Sequence, residues 1–176
     1  MARRTLRALD SRIIKRTIQA GAKRGVSNIS TKDISFILGI TEPTIYVHFG
    51  TKDNLLYQAY LECRRSIDEE ERNLLKTYET SKKDEKDLIS MLQGFITLDL
   101  VAKEKISYAL DYERKGYGLG DEDEKSIYQE LFATIGANQI DLDSFTYVLS
   151  ALRERANENP LDNVTNVYKA LLVFLK

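Results

Sequence analysis

With 176 residues, 43% of them apolar and 30% charged, the chain can bury one or two small cores and has an ordinary globular balance. Its one cysteine, Cys63, excludes an internal disulfide, and its longest apolar run, Ala170 to Leu175, is six residues, far short of the roughly 20 that span a bilayer. The net charge of −1 conceals a division: residues 1–53 hold ten Lys and Arg against four Asp and Glu, a surplus of six, whereas the rest holds 16 against 23, a deficit of seven.

The first seven residues, Met1 to Arg7, form a basic arm that reads either as a frayed tail or as a segment reaching a minor groove. Residues 8–24 repeat apolar positions at helical spacing, with Ile14, Ile18 and Ala22 beside Ile13, Thr17 and Ala20, and Gly25 ends the run. Ser30 is an N-cap signal with Asp33 three residues on, and Ile34, Ile37 and Leu38 are the expected inner face of a second helix that Gly39 closes. Thr41 is the N-cap signal of a third helix, where Pro43 falls in the first turn and is tolerated, and Gly50 stops it after two turns. Thr51 begins a fourth, Lys52 to about Tyr78. A helix, a tight glycine turn and a short helix make a helix-turn-helix, and a helix as short as the third is held only by its neighbours. Its outer face is expected to carry Thr41, Thr44, Tyr46 and His48, with Ile45 and Phe49 in the core.

Beyond residue 80 the sequence predicts helices near 84–102, 103–115, 122–136, 141–158 and 160–175, so the expected fold is all-α. Leu88, Leu92, Phe95 and Ile96 form one stripe, and Asp99 falls on it; a carboxylate there either pairs with a structural cation or faces a ligand. Tyr108, Tyr112, Tyr117, Tyr128 and Phe132 line a pocket or build plain core. The candidate effector contacts are Phe95, Asp99, Tyr108, Tyr112 and Tyr128. Leu142, Phe145, Leu149, Leu152 and Ala156 make a second stripe, and Val164, Tyr168, Leu171, Leu172 and Leu175 a third. The last helix is apolar over more than the ~100° one core requires, which points to a partner surface, burial inside one monomer being the alternative. Candidate dimer contacts are Phe145, Leu149, Leu152, Tyr168, Leu171, Leu172 and Leu175.

The stretch GVSNISTKDISFILGITEPTIYVHFGTKDNLL resembles the DNA-binding domain of tetracycline-repressor-like (TetR family) regulators. Gly25, Ser30, Asp33, Ile34, Gly39, Thr41, Thr44, Ile45, Tyr46, His48, Phe49, Lys52 and Leu55 carry the likeness, which spans roughly residues 10–58. The sequence departs from that family's pattern at Ser35, Phe36, Glu42 and Val47; Glu42 stands where a basic residue is frequent, and Val47 is apolar where a base edge is in reach. The resemblance implies a DNA-binding domain over 1–51, a helical effector and dimerisation domain over 52–176, a homodimer, and a pseudo-palindromic double-stranded DNA operator.

The chemistry of the candidate contacts agrees. Thr41, Thr44, Tyr46, His48 and Lys52 supply hydroxyl, phenol, imidazole and ammonium donors for phosphate oxygens, and Lys52 starts a helix, where an anion is favoured. A lone histidine on a short helix is more often a packed core residue; in this company His48 is assigned to DNA. The function expected is a cytoplasmic, ligand-responsive repressor without cofactor or metal, the alternative being a DNA-bound co-regulator controlled by a protein partner. An enzyme lacks material: the one histidine lies in the DNA motif, and Cys63 has no histidine partner.

Overall fold

The computed structural model describes residues 2–117, 129–130 and 132–134. Among these, every regular element is a helix: α1 (Ala2–Arg24), a 3-10 turn (Val26–Asn28), α2 (Thr31–Leu38), α3 (Glu42–Phe49), α4 (Lys52–Glu79), α5 (Glu85–Val101) and α6 (Lys103–Arg114). α1 begins six residues earlier than the apolar repeat predicts, because Ala2, Arg3, Arg4, Leu6 and Arg7 are good helix formers with no breaker among them. The arm expected to be frayed therefore continues the helix. The predicted helices 122–136, 141–158 and 160–175 fall wholly or mostly outside the described residues, as do Tyr128, Phe145, Leu149, Leu152, Tyr168, Leu171, Leu172 and Leu175.

The helix ends follow from local chemistry. Ser30 Oγ accepts the Asp33 N–H at 3.2 Å, and Thr51 Oγ1 accepts the Asn54 N–H at 3.1 Å, each satisfying a donor of a first turn. Gly39 is left-handed at φ 66°, so its N–H reaches Phe36 O and the Ile40 N–H reaches Ser35 O, closing α2 with paired bonds. Gly50 sits at φ 74° and ψ −59°, and the Thr51 N–H bonds Phe49 O at 2.8 Å across it. That is a γ-turn of the rarer hand, which suits glycine and joins α3 to α4 with two intervening residues.

The chain packs as two units. The first comprises Met1–Ile67 and Lys103–Leu119, so it takes in α1 to α3, the first half of α4, and α6. This division differs from one at residue 51. Its core is Ile13, Ile18, Val26, Ile29, Ile34, Ile45, Phe49, Leu55, Leu56, Ala59, Tyr60, Cys63, Tyr108, Ala109 and Tyr112. α6 is wedged into it: Tyr108 is fully buried, its ring lies over Gly21 of α1, and its hydroxyl donates to Leu56 O of α4 at 3.0 Å. Asp111 Oδ2 accepts the Val26 N–H at 2.6 Å, so α6 also caps the 3-10 turn. The second unit comprises Asp68–Ala102 and Gly120–Lys176. Leu75, Tyr78, Met91, Leu92 and Phe95 are buried in it, Asp84 Oδ1 caps α5 by accepting the Asp87 N–H at 2.9 Å, and Arg72 pairs with Glu130 at 2.5 Å.

Candidate nucleic-acid interface

α2 supports α3 through Ile34, which shares a core with Ile45 and Phe49, and Thr31 and Ser35 of α2 are buried as well. Ile37, expected on that inner face, is 55% exposed. Thr31 and Ser35 take the buried side instead, which turns Ile37 roughly 110° away at 3.6 residues per turn. Phe36 is exposed too, at 86%.

A polar chain ties the two helices together. The Thr31 hydroxyl donates to the Glu42 carboxylate, and Tyr46 OH lies 3.3 Å from Thr31 Oγ1. A carboxylate only accepts, so the Thr31 proton goes to Glu42 and the Tyr46 proton turns to Thr31. The phenol is thus held in place on a helix that leaves it 40% exposed, and a phosphate that takes its proton replaces a bond to Thr31. Glu42, which stands where a basic residue is frequent in the family, takes this inward role.

Thr41 has the extended backbone of an N-cap, but its hydroxyl accepts no helix N–H. The Thr44 N–H bonds Thr41 O at 3.0 Å, and Pro43 offers no donor, so the Thr41 hydroxyl pairs with the Thr44 hydroxyl at 2.8 Å. Two adjoining hydroxyls therefore stand at the amino end of α3. Val47 is 82% exposed on the same helix, open to apolar contact with a base. Lys52 is the first residue of α4, half-buried, and forms no ion pair among the described residues.

His48 differs from its expected place on an open outer face. Its side chain is only 9% exposed, and Nδ1 lies 2.5 Å from Oδ1 of Asp10 on α1. Asp10 had no signal in the sequence, since its partner lies 38 residues away.

The residues expected around an effector do not share one environment. Phe95 and Asp99 are buried in the second unit. Tyr108 and Tyr112 belong to the core of the first, where Tyr112 stacks on Tyr60 at 4.7 Å and on Tyr108 at 6.4 Å. Tyr60 OH donates to Glu113 at 2.9 Å. These two tyrosines seat α6 in the core, the second of the two places open to them from the sequence. A separate cleft of about 440 Å³ lies in the first unit, with Ile14 and Ile18 joined by Lys15, Glu62, Arg65, Glu104 and Lys105; none of the expected effector residues lines it.

Residues 13–59 match the family described as bacterial regulatory proteins, tetR family. No curated protein matches the sequence. A TetR family transcription regulator from Marinobacter aquaeolei VT8 superposes with a TM-score of 0.71 at 13% identity, over 96% of this chain and 95% of that one. The TetR family regulator PfmR from Thermus thermophilus gives 0.67 at 14%, over 94% of each chain. A protein from Saccharomonospora viridis, described as a transcriptional regulator and solved in complex with choline, gives 0.68 at 19%, over 96% and 95%. The amino-terminal helix-turn-helix belongs to the TetR family of bacterial regulatory proteins, and the chain has the all-α fold of that family's transcription regulators.

Proposed function

We propose that this chain is a sequence-specific DNA-binding repressor that acts as a homodimer on a pseudo-palindromic operator and releases it on binding a small molecule. The observation that carries the reading is α3: an eight-residue helix anchored by Ile45 and Phe49 that turns Thr44, Tyr46 and Val47 outward, with the uncommitted Lys52 at the next helix start. In this reading Thr41, Tyr46, His48 and Lys52 hold phosphates while Thr44 and Val47 face base edges. The dimer rests on the apolar stripes that include Phe145 and Leu171. The effector rests on Phe95 and Asp99 of α5 and on the choline bound by one structural relative. α4, one helix of 28 residues and about 42 Å at 1.5 Å per residue, starts at the proposed phosphate contact and carries a shift to it.

Fluorescence titrations of operator and random duplex over a range of salt test the contacts. Lys52→Ala and Tyr46→Phe weaken binding to both DNAs, and loss of the Lys52 charge also lowers the slope of log K against log salt by about 0.9. Thr44→Ala relaxes sequence preference instead. Unchanged titrations for all three variants refute the site. In sedimentation the protein is a dimer, and Leu171→Glu or Phe145→Glu dissociates or unfolds it; a folded wild-type monomer refutes the dimer. One observation favours the second reading, control by a protein partner: Phe36 and Ile37 leave an apolar pair exposed on α2. Calorimetry of a candidate effector with and without operator separates the two, because an inducer's affinity must fall when operator is bound.

A further inference from the structure

We propose that the cleft between α1, α4 and α6 is a binding site for an amphipathic organic monoanion, a carboxylate carrying an apolar chain. All of its lining belongs to the first unit, whereas Phe95 and Asp99 of α5 belong to the second, and the inference does not depend on the DNA-binding reading. The floor is apolar. Ile14 and Ile18 stand about one helical turn apart on α1 and meet the cleft together. Ile14 is only half-buried, so part of its side chain is left without protein cover. The volume of about 440 Å³ lies in the range of pockets that hold small organic ligands.

The charged rim decides the sign of the ligand. Glu62 and Arg65 of α4 neutralise each other, both carboxylate oxygens accepting from the guanidinium at 2.8 and 3.0 Å. Lys105, half-buried in the first turn of α6, donates its ammonium to the Ser66 hydroxyl, a neutral partner. Cys63 also acts on Lys105, but burial pushes its pKa up to about 12 and keeps it a neutral thiol. Lys15, Lys105 and Glu104 form no ion pair among the described residues. Two cations therefore stand against one carboxylate, and a single negative charge completes the set. An ammonium has three donors, so Lys105 keeps Ser66 and still holds a carboxylate oxygen. Its partial burial makes that charged hydrogen bond stronger than one in open water. The apolar chain covers Ile14 and Ile18, a gain that a wholly polar anion does not make.

Calorimetric titration of the intact protein with octanoate, kept below its micelle concentration at neutral pH, tests the site. Octanoate binds once per chain. Each methylene removed from it weakens binding about fourfold, so acetate gives no measurable heat. Octylammonium, the same chain with the opposite charge, binds more weakly. Lys105→Gln lowers octanoate affinity about tenfold, and Lys15→Gln, at an exposed position, about twofold. Glu104→Gln raises it about twofold, because the competing carboxylate is gone. A gain of affinity does not arise from misfolding, so this variant keeps the test decisive if Lys105→Gln proves unstable. Nuclear Overhauser contacts from octanoate methylenes to the Ile14 and Ile18 methyl groups place the ligand in this cleft. No binding of octanoate, equal binding of octylammonium, or an affinity unchanged in all three variants overturns the proposal. Overhauser contacts confined to residues of the second unit overturn it as well.

Discussion

Replacing Gly21 with alanine sets two effects of known size against each other. Alanine is favoured over glycine inside a helix by about 1 kcal/mol. Against that, a Cβ at Gly21 would lie 2.4 Å from Cδ2 and 2.5 Å from Cε2 of Tyr108, and 3.1 Å from Ile29 Cδ1. Tyr108 must therefore retreat by about 1 Å to restore ordinary contact. It has nowhere to go cheaply: it is fully buried, its hydroxyl holds Leu56 O, and Tyr112 stacks against it. Overpacking of this kind costs about 1–3 kcal/mol, and weakening the hydroxyl bond adds up to about 1. With the propensity gain subtracted, the net expectation is a loss of up to about 3 kcal/mol. Gly94→Ala is the matched control, since its Cβ meets Leu74 Cδ2 at 2.5 Å but the Leu74 Cγ only at 3.5 Å. The overlap there is with the far end of a half-buried, rotatable side chain, so the propensity gain survives and the variant is neutral or up to about 1 kcal/mol more stable. Urea unfolding followed by circular dichroism measures both variants, with equal m-values required. In a Tyr108→Ala background Gly21→Ala should become stabilising, because only the propensity term remains. A Gly21→Ala protein about 1 kcal/mol more stable than wild type, the full propensity gain, would refute the seating of α6 on α1.

Two more expectations follow from particular residues. Gly50→Ala places a side chain at φ 74° in open space, so its cost is backbone strain alone, about 1 kcal/mol or more, read as a lower denaturation midpoint with reduced DNA affinity. Burial pushes the Cys63 thiol from 9.0 up to about 12, and also pushes Tyr108 up. Each group keeps its proton in the folded state after the unfolded chain has lost it. For Cys63, stability is intact below about pH 9 and falls as pH climbs towards 12, at up to ~1.4 kcal/mol per unit per group. Urea midpoints at pH 8, 9.5 and 10.5 check the slope, and a thiol reagent should modify Cys63 in urea but not in buffer at pH 8. Rapid native labelling would contradict its burial.

What the sequence by itself determined lies within a few residues along the chain. Ser30 with Asp33, Thr51 with Asn54, and the glycines at 39 and 50 place the starts and stops of α2, α3 and α4, because a cap or a positive φ acts on its own turn. The candidate contacts on α3 were narrowed for the same reason: a short helix between two such stops leaves few residues to choose from. Tertiary structure decided which face met which neighbour. Ile37 lost the inner position to Thr31 and Ser35, and the Thr41 hydroxyl passed from capping to Thr44. His48 was drawn to Asp10 from 38 residues away, and Tyr108 and Tyr112 entered the core of the first unit. Helical periodicity states that residues share a stripe. It carries no term for the partner that covers the stripe, and that partner is chosen by the three-dimensional fit of helices far apart in the chain.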